Sequence, residues 1–86
     1  EAEELLARLY SQAELIKDQE VRKAMNKLSA RHTLGEIEQQ VLCDMSRSIV
    51  NKILSEPTKS LKSAAERGDL EILKSLCELF RLEEKI

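Results

Sequence analysis

Two cysteines and one histidine are the residues of this chain that could serve a nucleophilic or metal-dependent reaction. Cys43 and Cys77 each stand within or beside an apolar helical pattern, and neither has a histidine or second cysteine at the spacing of metal ligands. We therefore expect both thiols to pack as small apolar side chains, with a disulfide or a metal site as the alternatives. His32 lies between two predicted helices without a partner for proton transfer, so we expect a solvated or capping imidazole.

A row of basic side chains could contact phosphate groups. Lys23, Lys27 and Arg31 recur every four residues with Arg22 beside them, and this spacing places the three on one face of a helix. No aromatic residue stands among them to stack on bases, and the formal net charge of the chain is −2. The pattern therefore favours a solvated helix face, with phosphate contact as the alternative.

Paired carboxylates could act as general acid and base. Such pairs occur near the two ends of the chain, at Glu1, Glu3 and Glu4 and again at Glu83 and Glu84. Terminal positions are usually mobile, and we expect no pocket there that would separate two carboxyl pKa values. We predict no catalytic, cofactor-binding or metal-binding residue in this chain.

The composition predicts an all-α domain. Of the 86 residues, 42% are hydrophobic but only 2% are aromatic, so the core must be built from Leu, Ile, Val, Ala and Met. Two Gly and one Pro are too few for the turns of a β-sandwich or barrel. A core of this size is only marginally stabilising by itself, which suggests that a partner contributes. No apolar run reaches the roughly 18 residues of a membrane span.

The apolar spacing predicts a helical bundle of about four helices. The first is long and covers residues 2–29. It starts without Ser, Thr, Asp or Asn as a cap, as we expect of a helix that begins further upstream in a longer protein. Thr33 and Glu36 then form a predicted capping box, which starts a second long helix that serves as the core of the bundle.

Two shorter helices should complete the bundle. Pro57 cannot donate a backbone hydrogen bond, so the second helix is expected to end near Leu54 or Ser55. Gly68 and Asp69 predict the end of a short third helix and the N-cap of the last one. The side chains expected to face the core from these two helices are Leu61, Ala64, Ala65, Leu70, Leu73, Leu76, Cys77 and Phe80.

Three motifs in order along the chain carry a family resemblance. The central one consists of Ile49, Val50, Asn51, Lys52, Leu54, Pro57, Thr58, Leu61 and Lys62. It is preceded by residues 16–28 and followed by residues 79–82, which read Leu-Phe-Arg-Leu. Together they resemble the C-terminal dimerization domain of glutamyl-tRNA reductase, with residues 16–28 at the end of the long helix that joins the family's domains. Ser55 departs from the pattern, since many members have His there.

The resemblance implies that residues 1–86 are a dimerization domain. Residues 1–29 would end a long spinal helix, and residues 33–86 would form the bundle core. The parent would be a cytoplasmic, NADPH-dependent oxidoreductase that converts glutamyl-tRNA to glutamate-1-semialdehyde in tetrapyrrole biosynthesis. Its catalytic thiolate and its NADPH site belong to other domains, so the isolated chain is expected to be inactive and without a cofactor. The basic row could then contact the tRNA substrate.

We expect the surplus apolar surface to pair with a second copy in a two-fold symmetric homodimer. Within the matched motif, Asn51 and Lys52 could join helices through hydrogen bonds or salt bridges, or stay solvated. The residues predicted to form the dimer interface are Leu34, Ile37, Val41, Met45, Ile49, Val50, Ile53, Leu54, Leu76 and Phe80.

Two other functional classes remain open. A helical adaptor or regulatory module would offer a groove to a partner helix and would bind it as a monomer. A small helical RNA-binding module would need a stronger basic field than this composition provides.

Overall fold

The computed structural model describes residues 2–82, which form three α-helices. In chain order these are α1 (Ala2–Ser29), α2 (Glu36–Arg67) and α3 (Leu70–Phe80). No strand occurs within the described residues, so the all-α class is confirmed. The expected number of about four helices is wrong, because the second and third predicted helices are one. Across residues 2–82, no helix has the combined length and hydropathy that a bilayer span requires.

The start of α2 corrects the predicted capping box. Gly35 is the N-cap, with extended backbone angles (φ −82°, ψ 177°) and no side-chain cap, so Thr33 does not cap the helix. The Gly35 carbonyl instead accepts the first helical bond from the Gln39 N–H at 3.1 Å, and the Gln39 side-chain amide donates to the Leu34 carbonyl at 3.2 Å. Glycine is among the accepted N-cap residues, and the extended backbone at Gly35 is one that any residue type can adopt.

The largest correction concerns Pro57, which lies inside α2 and does not end it. Proline in a helix interior costs roughly 3 kcal/mol, because a backbone hydrogen bond is lost and the ring crowds the preceding turn. Leu54 and Leu61, on either side of it, are 5% and 2% exposed. Burying each of these side chains contributes about 1.5–3 kcal/mol, so packing on both sides of the proline offsets the local cost.

The joint between α2 and α3 is confirmed as predicted. Gly68 ends α2 in the left-handed region with φ 72°, where a side chain would be strained. The Asp69 N–H donates to the Ala64 carbonyl at 2.8 Å, and the Asp69 carboxylate accepts from the Ile72 N–H at 3.4 Å. One glycine and one aspartate therefore end one helix and begin the next.

The helices α1 and α2 form an antiparallel hairpin, and α3 covers one end of it. We call that end the base. Two clusters of buried leucines make its core, the first formed by Leu6, Leu61 and Leu73 and the second by Leu9, Leu54 and Leu82. Each cluster draws one leucine from the first half of the hairpin, one from the second half of α2 and one from the C-terminal part of the chain.

Polar contacts reinforce the base. The Arg8 guanidinium donates to the Leu82 carbonyl at 3.1 Å, and the Gln12 amide donates to the Phe80 carbonyl at 3.0 Å. The Tyr10 hydroxyl shares a hydrogen bond with that of Thr58 at 3.2 Å, which ties α1 to α2 one residue after Pro57. The first two bonds hold the end of α3 against the first three turns of α1, and the third holds α1 against α2.

Some inward positions predicted for the shorter helices prove to be exposed. Leu70 is 70% exposed and Ala65 is also exposed, whereas Leu61, Ala64 and Leu73 are buried as expected. The spacing of apolar residues in a short helix shows which side faces the core, but it does not show how many of these residues are covered. The narrow α1–α2 hairpin covers only the centre of the apolar stripe of α3.

Replacing Leu9 with Ala should lower the free energy of unfolding by about 3 kcal/mol, because a fully buried side chain leaves a cavity between three helices. Leu15→Ala is the matched control on the same helix, since Leu15 is 60% exposed, and its effect should stay within about 0.5 kcal/mol. Urea denaturation followed by circular dichroism measures both. Equal losses for the two variants would contradict the assignment of the core.

Replacing Pro57 with Ala should raise the free energy of unfolding by about 1–3 kcal/mol, because alanine restores the missing N–H in an otherwise continuous helix. The neighbouring exposed Glu56→Ala serves as control and should change little. Thermal unfolding of both variants provides the comparison. A destabilised Pro57→Ala protein would mean that the proline ring contributes more through packing than it costs the backbone.

Candidate interaction surface

The part of the hairpin beyond the base lacks a third layer. We call residues 14–53 the arm. All the buried apolar residues of the described chain lie outside it, at Leu6, Leu9, Leu54, Leu61, Ala64, Leu73 and Leu82. Two helices can shield only the side chains that lie between them, so the remaining apolar side chains of the arm stay in contact with water.

Five exposed apolar side chains of the arm form one line on α2, which we call the strip. It consists of Ile37, Val41, Met45, Ile49 and Ile53, which are 49–77% exposed. The four-residue spacing keeps neighbouring members in contact while the line winds slowly around the helix. Sixteen residues at the usual helical rise give the strip a length of about 24 Å.

An apolar groove of about 700 Å³ runs between α1 and α2 beside the strip. Its walls come from both helices of the arm, and the end of α3 closes it near the base. The residues that line it include Ala13, Ile16, Val21, Ala24, Leu42, Met45, Ile49, Val50, Ile53, Leu79 and Phe80. Few polar groups face it, so the groove suits aliphatic side chains from another helix better than a reacting substrate.

Lys17 is the least exposed charged side chain on the groove wall. Its ammonium lies 2.7 Å from the Glu14 carboxylate and 3.0 Å from the Asp18 carboxylate, and its side chain is 14% exposed. The hydrogen bond that the ammonium donates to Glu14, followed by the one it donates to Asp18, raises the pKa of Lys17 above its ordinary value of 10.5. The amine therefore stays protonated near neutral pH and offers neither a nucleophile nor a base.

The residues with reactive side chains are not brought together. Cys43 and Cys77 are half-buried free thiols on different helices, and Cys77 packs against the cluster of Leu9, Leu54 and Leu82. His32 is exposed, and its backbone N–H donates to the Leu28 carbonyl at 2.9 Å. Over residues 2–82, no three His, Cys, Asp or Glu side chains group in a way that could hold a metal ion.

The predicted basic row lies on the exposed surface of α1 and just beyond its end. Lys23 pairs with Glu20 at 3.3 Å, and Lys27 and Arg31 are exposed. This is the arrangement of a solvated face, and phosphate contact there stays a prediction.

Neither Glu3 nor Glu4 lines the groove. Glu3 and Glu4 are exposed in the first turn of α1, where Glu4 pairs with Arg8 at 3.5 Å. Glu1, Glu83 and Glu84 lie outside the described residues.

The predicted interface residues divide into three groups. Five of them form the strip. Leu34 and Val50 are half-buried and Phe80 is 42% exposed, with Val50 and Phe80 on the groove wall. Leu54 is buried in the single chain and Leu76 packs against both base clusters, so these two already have partners.

Sequence reasoning missed the α1 wall of the groove. Ile16, Val21 and Ala24 line the groove but were not among the residues predicted to form the interface. The available signal was the length of the α1 stripe, which continues well beyond the part of α1 that the short α3 can cover.

Comparison with known proteins gives consistent results. A family model described as glutamyl-tRNAGlu reductase, dimerisation domain, matches residues 1–82. A glutamyl-tRNA reductase of Methanothrix thermoacetophila is 74% identical over 85 residues, which cover 99% of this chain and 20% of that protein. No solved structure matches the chain.

More distant relatives carry the same name. A glutamyl-tRNA reductase of Methanosarcina acetivorans is 51% identical over 83 residues, covering 96% of this chain and 18% of that protein. One of Halobacterium salinarum is 36% identical over 83 residues, covering 95% of this chain and 19% of that protein. The chain therefore spans about a fifth of the length of the curated relatives it matches.

The Lys17 ion pairs should give stability a measurable pH dependence. The folded-state pKa of Lys17 lies above 10.5, so its stabilisation is fully present below pH 10.5 and is lost as pH rises through the folded-state value. Lys17→Gln should therefore be less stable than the unmodified chain at pH 8, and the difference should shrink at higher pH. Lys23→Gln, at a more exposed pair, is the control. A pH-independent difference in urea midpoint would contradict this assignment.

Proposed function

The chain belongs to the family of glutamyl-tRNA reductase dimerisation domains, and on that premise we propose that its arm joins two copies of a reductase into a homodimer. One observation carries the proposal: the arm buries no apolar side chain fully, although its two helices carry a strip and a groove of aliphatic residues. A second arm laid against the first would supply the missing layer.

The magnitudes indicate that the strip and groove act together. Full burial of an aliphatic side chain contributes about 1.5–3 kcal/mol, and the strip residues are already partly covered, so each contributes about half of that. Ten such side chains in two copies give roughly 8–15 kcal/mol, which is comparable to the estimated cost of 4–15 kcal/mol for association. Burial of the groove walls would then supply the net affinity.

Two-fold symmetry suits this surface. In an isologous pair the same surface patch of each copy forms the contact, so one set of residues provides both halves of the interface. Met45, Ile49 and Ile53 belong to the strip and also line the groove, so two strips that meet across a two-fold axis bring the two grooves together.

We further propose that the parent protein has the activity named for its relatives. It would reduce glutamyl-tRNA to glutamate-1-semialdehyde with NADPH, in the cytoplasm, through groups outside this chain. Residues 1–29 would end a spinal helix that leads to those groups, and residues 33–86 would form the assembly module. The chain itself would then contribute the geometry of the pair and no chemical step.

Replacing Ile49 with Glu should convert the dimer of this chain to a monomer, because a carboxylate would be buried where the strip meets the groove. Leu15→Glu is the matched control, since Leu15 is exposed on α1 but does not line the groove, and this variant should remain dimeric. Sedimentation equilibrium or light scattering gives the mass, and circular dichroism checks that both variants stay helical.

Two outcomes would contradict the proposal. An unmodified chain that is helical but monomeric at about 100 µM would leave the arm free, as an adaptor module requires. Equal loss of the dimer in both variants would place the interface elsewhere on the molecule.

A further inference from the structure

We propose that α2 pairs with α2 of the second copy in an antiparallel arrangement centred on Met45, with Glu38 of each copy paired to Lys52 of the other. This inference rests on the proposed homodimer and specifies its direction and register. It concerns polar residues that the apolar surface alone does not explain.

The positions along α2 are symmetric about Met45. Val41 and Ile49 are each four residues from it, and Ile37 and Ile53 are each eight residues away. An axis through Met45 therefore brings Val41 against Ile49 of the other copy, whereas Ile37 and Ile53 lie about 80° to either side of Met45, at the edges of the contact. Every contact along the strip is then aliphatic, with the flexible Met45 side chains meeting at the centre.

The charges on the same face follow the same symmetry. Glu38 and Lys52 are each seven residues from Met45, which is close to two helical turns, so all three lie on one side of α2. In an antiparallel pair each Glu38 therefore meets a Lys52. In a parallel pair Glu38 would meet Glu38 and Lys52 would meet Lys52, and both contacts would be repulsive.

Among the residues that the structure describes, neither Glu38 nor Lys52 has an ion-pair partner. Four charged residues lie between Ile37 and Ile53, and the inner two, Asp44 and Arg47, pair with each other at 3.4 Å. Within residues 2–82, no salt bridge joins the exposed Glu38 or Lys52 to another side chain.

The Glu38 carboxylate can move from its position in the single chain by rotation of its side chain. In the single chain it lies beside Gly35, and its Oε1 is 2.8 Å from the position that a Cβ atom on Gly35 would occupy. Rotation about its own side-chain bonds would turn it outward toward Lys52 of the second copy.

Apolar contact and charge have different parts in this arrangement. The strip supplies attraction but tolerates either direction, because its residues are all aliphatic and similar in size. The two ion pairs make one direction favourable and the other repulsive, which is how charged residues usually contribute specificity at an interface.

Charge exchange tests the direction. In this 86-residue chain, Glu38→Lys and Lys52→Glu should each raise the dimer Kd about tenfold at low salt, because both turn two attractive contacts into repulsive ones. The double variant E38K/K52E should return the Kd to near its original value. Glu66→Lys, an exposed carboxylate of α2 far from the strip, is the control and should leave the Kd unchanged.

Each contrary result has its own meaning. A parallel pair would keep like charges together in every variant, so equal Kd values for the unmodified, single and double variants would overturn the antiparallel arrangement. A helical but monomeric unmodified chain would instead overturn the proposed homodimer itself.

Cross-linking provides an independent test of the register. In a background with Cys43→Ala and Cys77→Ala, Met45→Cys should oxidise to a covalent dimer because two facing Cα atoms lie within disulfide reach. Val41→Cys alone should stay monomeric under denaturing conditions, whereas a mixture with Ile49→Cys should yield a cross-linked heterodimer. Self-linking of Val41→Cys, or failure of Met45→Cys to link in a chain that dimerises, would overturn the proposed register.

Discussion

A two-helix layer cannot enclose its own apolar side chains, and this constraint explains the division of the molecule into a base and an arm. At the base, α3 adds a third helix and the leucines of two clusters become buried. Beyond the reach of its 11 residues, α1 and α2 continue together with similar aliphatic residues but without cover. Similar aliphatic residues therefore form a buried core at one end of the hairpin and an exposed apolar surface at the other.

Local signals predicted the parts of the fold that local energies decide. The bounds of α1 follow from its spacing, and Gly68 with Asp69 marks the joint between α2 and α3 because backbone geometry there needs those residue types. The rule that proline ends a helix failed at Pro57, since leucines on both sides of it are buried by distant parts of the chain. A capping box at Thr33 failed because Gly35 already provides the start.

The candidate surface was predictable on one helix and not on the other. A four-residue spacing from Ile37 to Ile53 reveals an apolar line on α2, but spacing does not say which neighbour covers each residue. Leu54 and Leu76 therefore entered the predicted interface although the base holds them, and Val21 on α1 was overlooked. The family expected from the three motifs is confirmed, because motif order does not depend on knowing which faces meet.

The unbroken course of α2 through Pro57 also has a mechanical consequence. Its 32 residues make a rod about 48 Å long at the usual helical rise. Residues 54–67 of this rod lie in the base, and the strip runs along residues 37–53. Because α2 is helical throughout, a tilt of about 5° at one end displaces the other by about 4 Å. The orientation of α2 at the base therefore sets the position of the strip toward its other end.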